Sequence, residues 1–77
     1  MVELLTFLAV QLVDFPDDVS VEAEDTEDGQ LLKLRVHSTD IGKVIGKQGR
    51  TARAIRNLVQ ASANLRGQRV NVQFVDA

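Results

Sequence analysis

The chain has no cysteine, tryptophan or tyrosine, and only one proline, one histidine and three phenylalanines among its 77 residues. Each absence removes a class of chemistry. Without thiols there is neither a disulfide staple nor a thiolate metal site, which fits a reducing, intracellular setting. The single histidine, His37, has no second histidine or cysteine to complete a metal set. Ser–His–acid sets and pairs of buried carboxylates are not evident, so the chain is expected to be no enzyme and to carry no cofactor. The longest apolar run, residues 2–13, is too short to span a bilayer. It carries Glu3 where a secretory leader has basic residues, and it leads into Asp14-Phe15-Pro16-Asp17-Asp18 rather than a small-residue cleavage site. A core helix of a cytoplasmic protein with no membrane contact is expected.

What is present is distributed unevenly. The formal net charge of −2 argues, taken alone, against a polyanion binder. Residues 1–32 hold nine acids and no lysine or arginine, whereas residues 33–77 hold all nine basic residues against only Asp40 and Asp76. Screening confines exposed charges to roughly 8–10 Å, so a basic face on an acidic molecule is the relevant quantity. A chain of this length forms one small domain, 1–77, burying about 60% of the surface its unfolded form exposes.

Hydrophobic periodicity divides the chain into six elements. A helix over 2–13 should stop before Pro16, because the residue preceding proline disfavours the α region. Leu5, Leu8 and Leu12 fit its core face, and Leu4, Phe7 and Val10 point elsewhere. Phe7 nevertheless counts, with Phe74, among the candidate core aromatics. Val19, Val21 and Ala23 alternate with Ser20, Glu22 and Glu24, predicting a strand over 19–25. Thr26-Glu27-Asp28-Gly29 is the turn, and Leu32, Leu34 and Val36 mark the inward side of a strand over 31–37. If residues 27 and 28 centre that turn, Glu22 faces Lys33 and Ser20 faces Arg35. Ser38, Thr39 or Asp40 caps a short helix over 40–46, Asp40 being the simplest choice. A third helix runs from Thr51 to Arg66 with Ile55, Leu58, Val59, Ser62 and Leu65 inward, ending at Gly67. Arg56 and Arg66 are read as a solvated face. Val70, Val72 and Phe74 mark the last strand. The order α-β-β-α-α-β gives an α+β fold, a three-stranded mixed sheet with three helices on one face. Glu22, Glu24, Lys33, Arg35, Asn71 and Gln73 stay wet on the other.

The most informative segment is Asp40-Ile41-Gly42-Lys43-Val44-Ile45-Gly46-Lys47-Gln48-Gly49-Arg50. Ile41, Val44 and Ile45 share one helical face. Gly46 and Gly49, lacking Cβ atoms, let a backbone or phosphate chain approach the turn. The N–H groups opening the next helix have no partner inside it, and its dipole favours an anion there. Lys43, Lys47, Arg50 and Arg53 surround that point with positive charge. The segment is a seat for a phosphodiester backbone beside an apolar groove. A nucleotide-hydrolysing loop is excluded: Gly42 and Gly46-Lys47 are spaced one residue too closely, and Gln48 stands where a Mg²⁺-holding hydroxyl is needed.

The run Ile41 to Arg50 resembles the I-G-x-x-G core of the KH domain, and the element order resembles its type II arrangement over nearly the whole chain. Within that family the chain is similar to small bacterial proteins made of one KH domain. The resemblance implies a single-stranded RNA binder whose Gly46–Gly49 loop clamps about four nucleotides. Lys47 and Gln48 would face phosphates, while Ile41, Val44 and Ile45 would line or support the groove for the bases. It further implies a bacterial cytoplasm, post-transcriptional regulation, homodimers, and pairing with a larger KH-containing relative of the Jag type. The scarcity of aromatics agrees, because sheet-face stacking readers need exposed rings.

Two other readings compete. Gly46 and Gly49 could make a tight helix–helix turn with no ligand, although that leaves the surrounding cations unexplained. Alternatively the domain is a protein-interaction module with minor RNA contact. The surplus of apolar residues on the first helix favours assembly, most simply with a second copy of the chain.

Overall fold

The structure, a computed structural model, describes residues 1–76. Helix α1 (Val2–Val10) is followed by strands β1 (Ser20–Thr26) and β2 (Gly29–Val36), helices α2 (Ile41–Ile45) and α3 (Arg50–Asn64), and strand β3 (Val70–Asp76). The strand order is β1-β2-β3, with β1 antiparallel and β3 parallel to the central β2. This is the α+β, KH-like architecture expected from the sequence. Ser20 lies opposite Arg35 and Glu22 opposite Lys33, so Glu27 and Asp28 do centre the hairpin turn. The ion pair of Lys33, however, forms diagonally with Glu24, at 3.3 Å. Gly29 serves a different need. A Cβ there would overlap the carbonyl oxygen of Arg69, which accepts the Gln30 N–H at 3.0 Å.

Leu32, Leu34 and Val36 of β2 are fully buried, and with Val70 and Val72 they meet Leu5 and Ala9 of α1, Val44 of α2, and Ile55, Val59 and Ala63 of α3. All three helices thus cover one face of the sheet. On the other, Glu22, Glu24, Asn71 and Gln73 are exposed and Lys33 and Arg35 half-buried.

The elements depart from expectation in several respects, the bounds of the strands and of α3 shifting by one or two residues and Ala23, expected inward on β1, being exposed. Helix α1 ends at Val10 rather than residue 13, because the backbone N–H groups of Asp14 and Phe15 are drawn to the Asp40 carboxylate, at 3.2 and 3.0 Å. Leu12 therefore leaves the core face, and Phe7 is 60% exposed rather than a core residue. Helix α3 is rotated: Ala52, Ile55, Val59 and Ala63 face the sheet, while Leu58 and Leu65 point outward. Alanines at two inner positions let the helix sit close to the strands, which a reading by side-chain size alone misjudges. Asp40, finally, caps nothing; the side-chain cap of that turn is His37, whose ring accepts the Thr39 N–H. The end of α3 follows the expected pattern, with Gly67 at φ +69°. The N–H groups of Gly67 and Gln68 return to the carbonyls of Asn64 and Ala63, closing a Schellman motif.

Candidate nucleic-acid interface

Helix α2 is barely more than one turn, too short to persist alone, so its position comes from what holds its side chains. Val44 is fully buried in the core, and Ile41 and Ile45 are half-buried beside it. Of the three apolar residues assigned to a groove, Val44 is thus a support and Ile41 and Ile45 keep surface. Gly42 is exposed and has nothing within 4 Å of the place a Cβ would occupy.

The chain leaves α2 through Gly46 at φ +75° and ψ 174°, a combination that is essentially glycine-only. A Cβ on Gly46 would also overlap the Thr51 hydroxyl. Lys47–Gly49 then form a single 3₁₀ turn, with the Gly49 N–H donating to the Gly46 carbonyl at 3.2 Å. Gln48 adopts φ 58° and ψ 25°, the one non-glycine residue among those described with positive φ. Gly49 follows at φ +73° and ψ 14°, facing open space. Two left-handed residues in succession push Lys47 and Gln48 outward, and both are exposed. The two glycines therefore have different roles. Gly46 makes room for the protein's own Thr51, and Gly49 leaves a bare surface.

Helix α3 begins directly after Gly49 with no side-chain cap; the Arg50 N–H turns back to the Lys47 carbonyl, and no side chain caps the N–H groups that follow it in the first turn. Arg50 and Arg53 lie on its first turn, both exposed, and Arg50 bonds the Gln48 side-chain oxygen at 3.4 Å. Lys47, Arg50 and Arg53 thus gather around an uncapped helix start, as expected.

Lys43 is placed differently. Its ammonium contacts Asp14 at 2.6 Å and Asp40 at 3.1 Å. Hydrogen bonds from Lys43 to Asp14 and then to Asp40 raise its pKa above the ordinary 10.5, against a smaller opposing effect of desolvation. The Asp40 carboxylate is fully buried. That burial pushes its pKa up, but the N–H groups of Asp14 and Phe15 together with Lys43 outweigh it, and the net shift is below the ordinary 3.8. Arg56, read from the sequence as solvated, is also engaged. It donates to the Val72 carbonyl at 3.3 Å and lies 4.9 Å over the Phe74 ring.

Sequence reasoning missed Asp14 and Phe15 as partners of this region. The Phe15 ring, 47% exposed, stacks on His37 with centroids 4.3 Å apart. The sequence signal was slight: Asp14 ends the apolar run just before Phe15-Pro16. Their partner lies 25 and 26 residues away, and no periodicity reports such a distance.

A family model described as the KH domain of KhpA/KhpB matches residues 2–74. Relatives named RNA-binding protein KhpA are similar over almost their full length. The protein of Halalkalibacterium halodurans is 46% identical, over 99% of this chain and 100% of its own. That of Streptomyces coelicolor is 49% identical over 96% and 92%. That of Bacillus subtilis is 45% identical over 96% and 91%. Among solved structures, Aquifex aeolicus Era bound to GDP and AlF4⁻ superposes with a TM-score of 0.64 at 17% identity. The likeness covers 97% of this chain but only 29% of Era, and it speaks for the fold alone. The geometry of the Gly46–Gly49 turn, the order of the elements and these near full-length matches agree: the chain belongs to the KhpA/KhpB family of KH domains.

Proposed function

We propose that this chain binds single-stranded RNA, with the Gly46–Gly49 turn and the start of α3 holding the sugar-phosphate backbone and Ile41 and Ile45 beside the bases. One observation carries the reading: an exposed turn with an open face at Gly49 runs into an uncapped fifteen-residue helix flanked by Lys47, Arg50 and Arg53. Backbone N–H groups and fixed cations there suit phosphate oxygens. Relatives named RNA-binding proteins support it. The proposal extends, through the family resemblance, to a non-catalytic role without cofactor in bacterial post-transcriptional regulation in the cytoplasm. Among the described residues no helix is long and apolar enough to cross a membrane.

The test replaces Lys47 and Gln48 together by Asp. Both side chains are exposed, so the thermal midpoint should hold while affinity for a labelled single-stranded RNA pool falls more than about tenfold, that is by more than about 1.4 kcal/mol. Undiminished affinity with an unchanged melt refutes the site. An affinity of about 1–100 μM, roughly −8 to −5 kcal/mol, is expected of a single such groove, so useful occupancy calls for a second module on the same RNA.

A specific surface favours such pairing. Ala54, Leu58, Ala61 and Leu65 are all exposed along α3 and its C-terminal end, spaced four, three and four residues apart as in a helix–helix seam. Leu65 is 91% exposed and borders a hollow of about 340 Å³ with Met1, Glu3, Leu4, Ser62 and Arg66. On α1, the interface expected from the sequence, Leu4 and Val10 are half-buried and Phe7 is the only largely exposed apolar residue, so α3 offers the longer apolar seam. We infer that this seam joins two copies of the chain, or one copy and a Jag-type KH protein. In sedimentation equilibrium Leu58→Glu should shift the mass toward the monomer. A monomeric wild-type protein at every concentration removes the homodimer.

A further inference from the structure

The α2 end opposite the glycine turn carries charge of the wrong sign for RNA. Two carboxylates, Asp14 and Asp40, surround the single ammonium of Lys43, leaving the cluster one charge negative. Lys43 lies one helical turn before Gly46, about 5 Å along the axis, within a Debye length of the proposed phosphate seat. The two carboxylates are not equivalent. Asp40 is fully buried and serves the fold through the backbone of Asp14 and Phe15. The Asp14 side chain is 70% exposed and makes the shorter contact, reaching Lys43 from the solvent side. Its oxygen takes one of the three Lys43 N–H donors from the exposed side and Asp40 takes another, so an incoming phosphate oxygen would compete with Asp14 for the ammonium charge.

We propose that Asp14 is an affinity-setting residue, an internal substitute for a phosphate that keeps Lys43 from RNA and limits the backbone path to the Gly46–Gly49 end. The proposal rests on the RNA-binding reading above and deepens it. Asp14 holds the Lys43 ammonium at 2.6 Å, and a phosphate that reaches it must compete with a carboxylate tethered at high effective concentration. Consequently the strand gains little from this end of α2, and the protein's contact with RNA stays short.

Asp14→Asn retains the backbone N–H that Asp40 accepts and removes only the charge. With the same labelled single-stranded RNA pool, affinity should rise about two- to five-fold, as expected for one charge removed at this range. The slope of log K against log salt should steepen by about 0.7, one added phosphate contact on a single strand. Adding Lys43→Gln to Asp14→Asn should cancel both changes, because Lys43 is the group the phosphate would then reach. Glu27→Gln, the same change in net charge at the hairpin tip, should leave affinity unmoved. Equal gains from Asp14→Asn and Glu27→Gln, or a gain that survives Lys43→Gln, overturn the proposal, as does unchanged affinity in Asp14→Asn. The Lys47→Asp/Gln48→Asp protein separates the two levels of inference. Undiminished binding by it overturns the RNA site itself, whereas binding lost in it but unmoved by Asp14→Asn in the otherwise wild-type protein overturns only the role of Asp14.

Discussion

The two ends of α2 are built on opposite principles, although the helix between them is only five residues long. At the first end a buried carboxylate gathers two backbone N–H groups and an ammonium, and the Phe15 ring closes over His37. At the second, Gly46 and Gly49 take positive φ, Lys47 and Gln48 stand in solvent, and α3 starts without a cap. A helix this short cannot fix its own direction. The satisfied end and the buried Val44 hold it, and that support is what allows the other end to stay open for a ligand under the proposed reading.

The largest expected effect comes from breaking the satisfied end. Asp40→Ala would remove the acceptor of two part-buried backbone N–H groups and one of the two carboxylates on Lys43, and the thermal midpoint should drop further than for any single substitution at the open end. The pH dependence gives a second handle. The Asp40 pKa is lowered in the folded state, so its contribution is complete above the ordinary 3.8 and is lost as pH falls through the folded value. Lys43, with a raised pKa, contributes fully below 10.5 and loses its share as pH rises through its folded value. Asp40→Asn should therefore flatten the acid limb of a stability–pH curve. If that limb keeps its shape in Asp40→Asn, the anchor is not where the contrast between the two ends lies.

The glycines sharpen the comparison at the open end. Gly46→Ala combines a glycine-only backbone, costing about 1–3 kcal/mol, with an overlap against Thr51. Gly49→Ala meets no neighbour and should cost about 1 kcal/mol for its left-handed φ. Urea unfolding should thus rank Gly46→Ala well below Gly49→Ala. RNA affinity should nevertheless fall in Gly49→Ala, since its methyl would stand on the face proposed for phosphate. Equal stability losses would mean that Thr51 shifts easily and that Gly46 is not structurally required.

How much of this was legible in the sequence depends on the distance over which each feature is specified. Strand register followed from the period-two pattern and the Glu27-Asp28 turn, both local. The Gly46–Gly49 turn was legible because glycines, cations and the helix start are consecutive. The rotation of α3 was not, since Ala52 and Ala63 look neutral until the close approach to the sheet is known. The partnership of Asp14 and Phe15 with Asp40 was invisible because it depends on tertiary placement. Lys43 shows the consequence: counted as a cation for RNA from its neighbours in sequence, it is matched by a carboxylate from another part of the chain.

The smallest expected effect tests whether burial, rather than mere pairing of charges, distinguishes the anchored end. Lys33 and Glu24 also form an ammonium–carboxylate contact, at 3.3 Å, but on the wet face of the sheet with side chains 35% and 58% exposed. Water solvates both groups when the pair opens, and salt screens what attraction remains. Glu24→Gln should therefore change stability by about 0.5 kcal/mol or less, an amount that vanishes in high salt. Asp40 is different because its carboxylate is fully buried and answers two part-buried backbone N–H groups as well as the Lys43 ammonium. Urea titrations of Glu24→Gln and Asp40→Asn at low and high salt decide the point. A small, salt-sensitive loss for the first and a larger, salt-insensitive loss for the second place the difference in desolvation. Comparable losses would mean that the Asp40 site is more hydrated than its full burial indicates, and the two ends of α2 would then differ only in backbone conformation.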